Sequence, residues 1–208
     1  MSKSVTRKHW YDGKFYAFFI DGTGSTLRRR IFKYIEPGKS VIDIGCGSGG
    51  VALQLAAGGR RVVGVDISGK MIAAAKQRQK KAEIPNIRFI QAGANEIGAW
   101  SQERFDYALF SFFLHEIDHP ERIEILRQAN RIAEKIIILD YYHPQPAGPR
   151  GRLIQLIERF TSPAHYRNYR DFLQRGGLIP LLAEAGLQLQ QSTVNRLKLF
   201  QVVVAVEK

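Results

Sequence analysis

Short apolar runs, β-branched or aromatic, recur at 40–45, 61–66, 86–91, 105–111 and 135–141, and each reads as a strand. Between them, near 49–57, 69–82 and 120–134, apolar positions fall at helical spacing. Such alternation predicts a parallel sheet with helices on both faces. Leu27 to Ile35 is also spaced as a helix and stops at Pro37-Gly38. After residue 141 the rhythm changes. Gly151 to Phe160 and Tyr169 to Ala185 look helical, then Leu187–Val194 and Lys198–Glu207 form two strands joined through Asn195-Arg-Leu197. The short link makes them an antiparallel pair. The fold class is therefore α/β, a three-layer sandwich whose seven-stranded, mostly parallel sheet closes on an antiparallel C-terminal hairpin.

At 208 residues the chain is read as a single domain spanning 1–208, enough to bury the core of such a sandwich. Two stretches stand outside the alternation. The aromatic N-terminal segment 1–26, with Trp10, Tyr11, Phe15 and Tyr16, is read as a lid, against an amphipathic element packed on the core, which is the better reading for Phe18 and Phe19. Residues 141–168, broken by Pro144, Pro146, Pro149 and Pro163, are read as a cap insertion leaving the C-terminal edge of the fifth strand. The one cysteine, Cys46, leaves no internal disulfide to form. No apolar run approaches the roughly 20 residues needed to span a bilayer, and Phe15 to Ile20 is too short and aromatic for a signal core. A cytoplasmic location is expected. The net charge of +12 would suit nucleic acid, an anionic membrane surface or an acidic substrate. Its clusters (Arg28 to Arg30, Lys76 to Lys81, Arg150 to Arg152, Arg167 to Arg175) sit largely on predicted helix faces, where solvated charge is the default. Without an RNA-binding motif, RNA is the weaker reading and peripheral contact with a membrane or other anionic surface stays open.

Chemistry concentrates in Val41-Ile-Asp-Ile-Gly-Cys-Gly-Ser-Gly-Gly50 and in Val62-Val-Gly-Val-Asp66. A strand, a glycine turn, a helix and a second strand ending in an acid make a nucleoside site. The turn lets backbone approach the ligand, and the acid about 20 residues on takes ribose hydroxyls. Gly45, Gly47 and Gly50 also satisfy the dinucleotide pattern, so a nicotinamide-dependent oxidoreductase is one alternative. Asp43 argues against it. A carboxylate two residues before the first glycine would oppose a pyrophosphate, whereas the sulfonium and amino group of S-adenosylmethionine (SAM) tolerate it. About forty residues also precede the motif, while a dinucleotide fingerprint usually opens its unit. Asp43-Ile-Gly-Cys-Gly-Ser-Gly49 with Val65-Asp66 resembles the Rossmann-like class I SAM-dependent methyltransferases. Through Tyr11-Asp12, Leu27-Arg-Arg-Arg30, Phe105-Asp106 to Leu114-His115, and Tyr166 to Phe172 before Leu181 to Gly186, the chain resembles the small-molecule methyltransferases of ubiquinone and menaquinone biosynthesis. Phospholipid N-methyltransferases are cousins of these.

The resemblance implies SAM as cofactor and a small-molecule acceptor, quinone-like or lipid. Cofactor-binding residues are then Tyr11, Asp43, Gly45, Cys46, Gly47, Gly49, Asp66, Ile67, Gly93, Ala94, Asn95 and Ser111. Asp43 would anchor the loop or reach the methionine amino group, Asp66 the ribose, and Ile67 an adenine face. Cys46 is a packed thiol under the cofactor. Gly93 stands where many relatives carry an Asp for the adenine amino group, which leaves Ala94 and Asn95 to read that edge. Ser111, ending the fourth strand, would lie near the methyl group. The fourth motif lacks the Asn/Asp-Pro-Pro-aromatic signature used on exocyclic amines, and Arg131 to Lys135 replaces the family's usual Pro-Gly-Gly turn. His115 and Glu116 are the candidate catalytic pair, a base and its orienting acid, against a reading in which His115 only packs; His143 and His165 in the cap are alternative bases. Asp118 with His119-Pro120 reads as a helix cap. One turn holding His115, Glu116, Asp118 and His119 is a poor metal signal, and no metal is expected. An RNA methyltransferase and a catalytically silent SAM-binding protein complete the alternatives.

Overall fold

The computed structural model describes residues 31–100 and 103–208, so the N-terminal lid segment with Tyr11, and Arg28 to Arg30, lie outside the described residues. Residues 31–34 are helical, as the spacing before Pro37 requires. Seven strands follow: β1 Ser40–Ile44, β2 Arg61–Asp66, β3 Ile87–Gln91, β4 Phe105–Ser111, β5 Ala133–Tyr141, β6 Leu187–Val194 and β7 Phe200–Glu207. They form one sheet in the order β3-β2-β1-β4-β5-β7-β6. Pairings from β3 to β5 are parallel; β7 runs antiparallel to both β5 and β6. This is the expected sheet and hairpin.

Why these segments are strands shows in their burial. Every residue of β1 is buried, Asp43 included, which is the condition of an inner strand covered on both faces. Ile136 to Leu139 of β5 and Val202 to Ala205 of β7 are likewise buried. β6 closes the edge with Gln188, Gln190 and Gln191 exposed and a register shift between Leu189 and Gln191, features that discourage further pairing. A staple holds β4 to the start of β1: Asp106 accepts the Ser40 N–H and hydroxyl, both at 2.7 Å, and pairs with Lys39 at 2.8 Å. Those donors hold its pKa far below the usual carboxylate range, the Lys39 bond foremost.

The connecting helices are α1 Gly50–Ala57, α2 Gly69–Lys81, α3 Ile97–Trp100, α4 His119–Ile132, α5 Pro149–Arg159, α6 Pro163–Gln174 and α7 Leu178–Glu184. Asp118 caps α4 as expected, accepting the Glu121 N–H at 3.1 Å with Pro120 in the first turn. The stretch expected as one helix from Tyr169 to Ala185 is two. Gly176 (φ +91°) and Gly177 (φ +72°) take the left-handed backbone that ends α6 and starts α7. Pro163, expected to break the chain, instead opens α6, where a missing N–H costs nothing; Ser162 caps it through the His165 N–H at 3.2 Å. At the position of the absent Pro-Gly-Gly turn, α4 passes directly into β5 at Ala133.

Candidate functional site

Strand order reverses between β1 and β4, and a crevice opens beyond strand C-termini at such a point. The glycine loop after β1 lies there. Gly45 and Cys46 both donate to the Val65 carbonyl, at 2.9 and 3.0 Å, lashing the loop to β2. Gly45 (φ +74°) has no room for a side chain: a Cβ would fall 2.4 Å from the Phe113 ring. Gly47 (φ +54°) is different, since a Cβ there would meet nothing within 4 Å. Gly47 is the loop's open point, where a ligand can approach backbone. Gly49 and Gly64 are kept small by the Phe89 ring, 2.6 Å from where either Cβ would stand.

Asp66 uses both oxygens, taking the Gly47 N–H of the loop and the Ser68 N–H at the start of α2, at 2.8 Å each. A carboxylate so held is fixed in direction and keeps lone pairs for further donors such as hydroxyls. Asp43 is buried, and neither of its oxygens has a hydrogen-bond partner among the described residues. Burial, with the Asp66 charge behind it, pushes its pKa up to about 7; the Ala52 N–H tempers the charge without reaching bonding geometry. An orphaned buried acid beside a second acid is costly unless something positive joins it. This pair therefore fits a cationic nucleoside such as SAM and opposes a pyrophosphate. Burial drives the Cys46 thiol far above its ordinary pKa, so Cys46 is a packed thiol and no nucleophile.

The adenine side is more open. Ile67, just past the end of β2, is an apolar side chain left 61% exposed by the described residues. Gly93 is buried, donates to the Glu96 carboxylate at 3.2 Å, and starts the short 3-10 turn Ala94–Glu96. Asn95 folds back over it, its Oδ1 standing 2.7 Å from where a Gly93 Cβ would be. Ser111 ends β4, half-buried, and Phe112 (φ +52°) turns the chain with its ring edge-on to Phe200 at 5.1 Å. Phe113 then lies parallel to Phe110 at 6.2 Å and covers Gly45. Phe113 was not legible as a site residue; the glycine it covers carries no mark of what packs on it.

His115 and Glu116 sit deeper than a base needs to. His115 is 0% exposed, in the 3-10 turn Leu114–Glu116. Its Nδ1–H donates to Asp140 Oδ1 at 2.7 Å and its backbone N–H to Oδ2 at 3.3 Å. The Tyr141 N–H also donates to Oδ1, so the carboxylate is well supplied and the Nδ1–H tautomer is fixed by the network. Burial opposes charge on His115, but Asp140, with Glu158 and Glu116 behind it, raises its pKa to about 9. Such a ring keeps its proton at neutral pH and is a poor base there. Burial raises the pKa of Glu116, a half-buried side chain whose carbonyl accepts from Asn168 Nδ2 at 2.7 Å. Helices α5 and α6 line this pocket: Glu158 at the end of α5 accepts from the Tyr141 hydroxyl and meets His165 of α6. Arg122, buried, ties turn to cap through Leu114 O at 2.9 Å, Asn168 O at 2.6 Å and Asp171 at 2.8 Å. Asp140 and Glu158 were missed in the sequence, where the only signal is an acid breaking the apolar run Ile136 to Leu139. His143 is not in this cluster; its Cβ lies 2.9 Å from where a Gly177 Cβ would stand.

Residues 41–135 match a family described as a methyltransferase domain. Over 114 residues the chain is 32% identical to the 2-phytyl-1,4-naphtoquinone methyltransferase of Trichormus variabilis, covering 52% of this chain and 49% of that protein. Over 177 residues it is 24% identical to the demethylmenaquinone methyltransferase of Bacillus cereus, covering 79% of this chain and 73% of that protein. The magnesium protoporphyrin IX methyltransferase of Synechocystis, solved with bound SAH, superposes with a TM-score of 0.61 at 21% identity, over 93% of this chain and 84% of that one. Within residues 41–135 the chain is thus similar to methyltransferase domains, and its fold is that of a methyltransferase solved with bound SAH. By sequence it is similar to these two methyltransferases, and it spans about half the length of the first.

Proposed function

We propose that the protein transfers a methyl group from SAM to a small-molecule acceptor of the quinol or lipid class. The observation that carries this is the pair Asp43 and Asp66 around the open point of the loop: one acid orphaned and buried, the other fixed by two backbone N–H groups. Asp66 would take the ribose hydroxyls, Asp43 would face the positive methionine end, and Ile67 with the Gly93 to Asn95 turn would flank the adenine. Bound SAM supplies an activated methyl on a sulfonium. The remaining work of the chain is alignment and exclusion of water, which an in-line displacement chiefly demands. Phe113 and Ser111 stand where the acceptor would meet the cofactor. His115 is assigned a positioning role, fixing the 114–116 turn on Asp140, and the acceptor is taken to enter as a phenolate or neutral amine. A naphthoquinol-like acceptor is favoured by the two quinone-biosynthesis relatives.

The test is transfer of labelled methyl from SAM to a panel of demethylated naphthoquinols, benzoquinols, aminophospholipids and an RNA pool. Turnover on a quinol or lipid, lost in Asp66→Ala, is expected. Turnover on RNA alone would move the function to the nucleic-acid reading, and SAM binding without any turnover would favour the silent-binder reading.

A further inference from the structure

We propose that His115, Glu158 and His165 form a binding site for one divalent transition-metal ion, zinc being the best match, which pins the two cap helices to the end of the sheet. The three residues come from three elements: the turn after β4 and, well beyond it in sequence, the last turn of α5 and the first turn of α6. Their ligand atoms all lie within 4.8 Å of one another. A tetrahedron on bonds of roughly 2.0–2.1 Å has an edge of about 3.4 Å, so modest side-chain rotation closes the set.

The independent observation is the unpartnered Nε2 of His115. It is buried, and among the described residues nothing donates to it or accepts from it. Nδ1 is engaged with Asp140, which orients the ring and points Nε2 away from that carboxylate, so that an ion there takes the place of the Nε2 proton. A histidine backed by a carboxylate on its far nitrogen is the outer-shell arrangement found behind metal-binding imidazoles. Glu158 has its own support, the Tyr141 hydroxyl. Tyr169 Oη, also buried and unpartnered, belongs to the same shell of rings, its centroid 6.2 Å from that of His115. A water in the fourth coordination position would supply the partner it lacks.

Charge agrees with the donor set. Asp140 and Glu158 are two buried carboxylates, and one divalent ion that displaces the His115 Nε2 proton balances them. Two imidazoles and a carboxylate suit zinc over magnesium or calcium, which prefer oxygen alone. Sequence spacing hid the site, because its second and third ligands lie in the cap, outside the His115 to His119 turn that was weighed. The inference does not rest on the methyltransferase reading: metal content is measured without cofactor or acceptor.

The full chain, purified without a histidine tag from zinc-supplemented medium, is analysed for metal by mass spectrometry, and the chelated protein is titrated with Zn2+ and Co2+. About one equivalent per chain is expected, with the visible absorption of tetrahedral Co2+ and a thermal midpoint lowered by chelation and restored by zinc. His165→Ala and Glu158→Gln, each checked for folding by circular dichroism, should weaken binding at least about 100-fold; Asp140→Asn, acting through His115, should weaken it about 10–100-fold. A folded wild-type chain with no stoichiometric metal and no tetrahedral cobalt spectrum overturns the proposal. So does binding that survives both ligand substitutions unchanged.

Discussion

Asp43→Asn makes the sharpest use of the site's electrostatics. Burial lifts the Asp43 pKa from 3.8 to about 7. The unfolded chain thus loses this proton near pH 4, the folded chain near pH 7. Between those values the folded state binds more protons than the unfolded, so this group makes stability fall as pH rises through the window and leaves it level above. Raising this pKa from 3.8 to about 7 is worth about 4 kcal/mol, at about 1.36 kcal/mol for each tenfold change in proton affinity. Asparagine never ionises and escapes that loss, but leaves its own amide unsatisfied at a cost of about 1–3 kcal/mol. The cofactor-free variant should therefore be more stable than wild type by about 1–3 kcal/mol at pH 8, with the advantage gone or reversed at pH 5. Urea unfolding at both pH values reads this, and the difference between the two proteins cancels groups titrating elsewhere. SAM affinity should move the other way. The variant binds more weakly, and wild type binds more tightly as pH rises toward 7 because the ligand needs Asp43 ionised. A stability difference identical at pH 5 and pH 8 would refute the reasoning.

Substitutions at two glycines should separate packing from ligand space. Gly45→Ala forces a Cβ to within 2.4 Å of the Phe113 ring at φ +74° and should lower the thermal midpoint markedly, whereas Gly47→Ala meets no atom, costs about 1 kcal/mol of backbone strain and should chiefly weaken SAM binding. Equal effects of both on stability and binding would contradict the assignment of the open point. Ile67→Ala should leave unfolding unchanged, since the side chain is 61% exposed, and weaken SAM binding about 10-fold by calorimetry; unchanged affinity would remove Ile67 from the adenine side. Arg122→Ala breaks a buried guanidinium network on Leu114, Asn168 and Asp171 and should cost about 3–5 kcal/mol in urea unfolding; a loss below about 1 kcal/mol would mean the cap is held by other contacts.

The sheet was readable because its signals are local. β-branched runs bounded by turns became strands within a residue or two, and the hairpin followed from the short link at Asn195 to Leu197. Asp43 and Asp66 were readable for the same reason, since the loop that brings them together spans one strand–turn–helix–strand unit. The cap was not. Pro163 reads alike as a breaker or as a first helical residue, and only the Ser162 cap decides. The Gly176-Gly177 break lay inside a run of helical composition. Least legible was the buried cluster, because Asp140 meets His115 through adjacent parallel strands and Glu158 and His165 arrive from helices 43 and 50 residues further on. No spacing rule encodes such a meeting. His115 suggested a base by type and position; in the fold it is buried with its Nδ1 on Asp140, a partner its spacing does not announce.

The central claim is that the acid-flanked glycine loop binds SAM, and calorimetry of SAM, SAH and NADH against wild type and Asp66→Ala tests it most directly. Asp66 anchors the loop through the Gly47 N–H and, on this account, binds the ribose, so the variant should lose at least about 100-fold in affinity. Micromolar binding of SAM and SAH by wild type, lost in the variant while NADH binds neither, is the predicted result. A folded wild-type protein that binds NADH and neither SAM nor SAH would contradict the account.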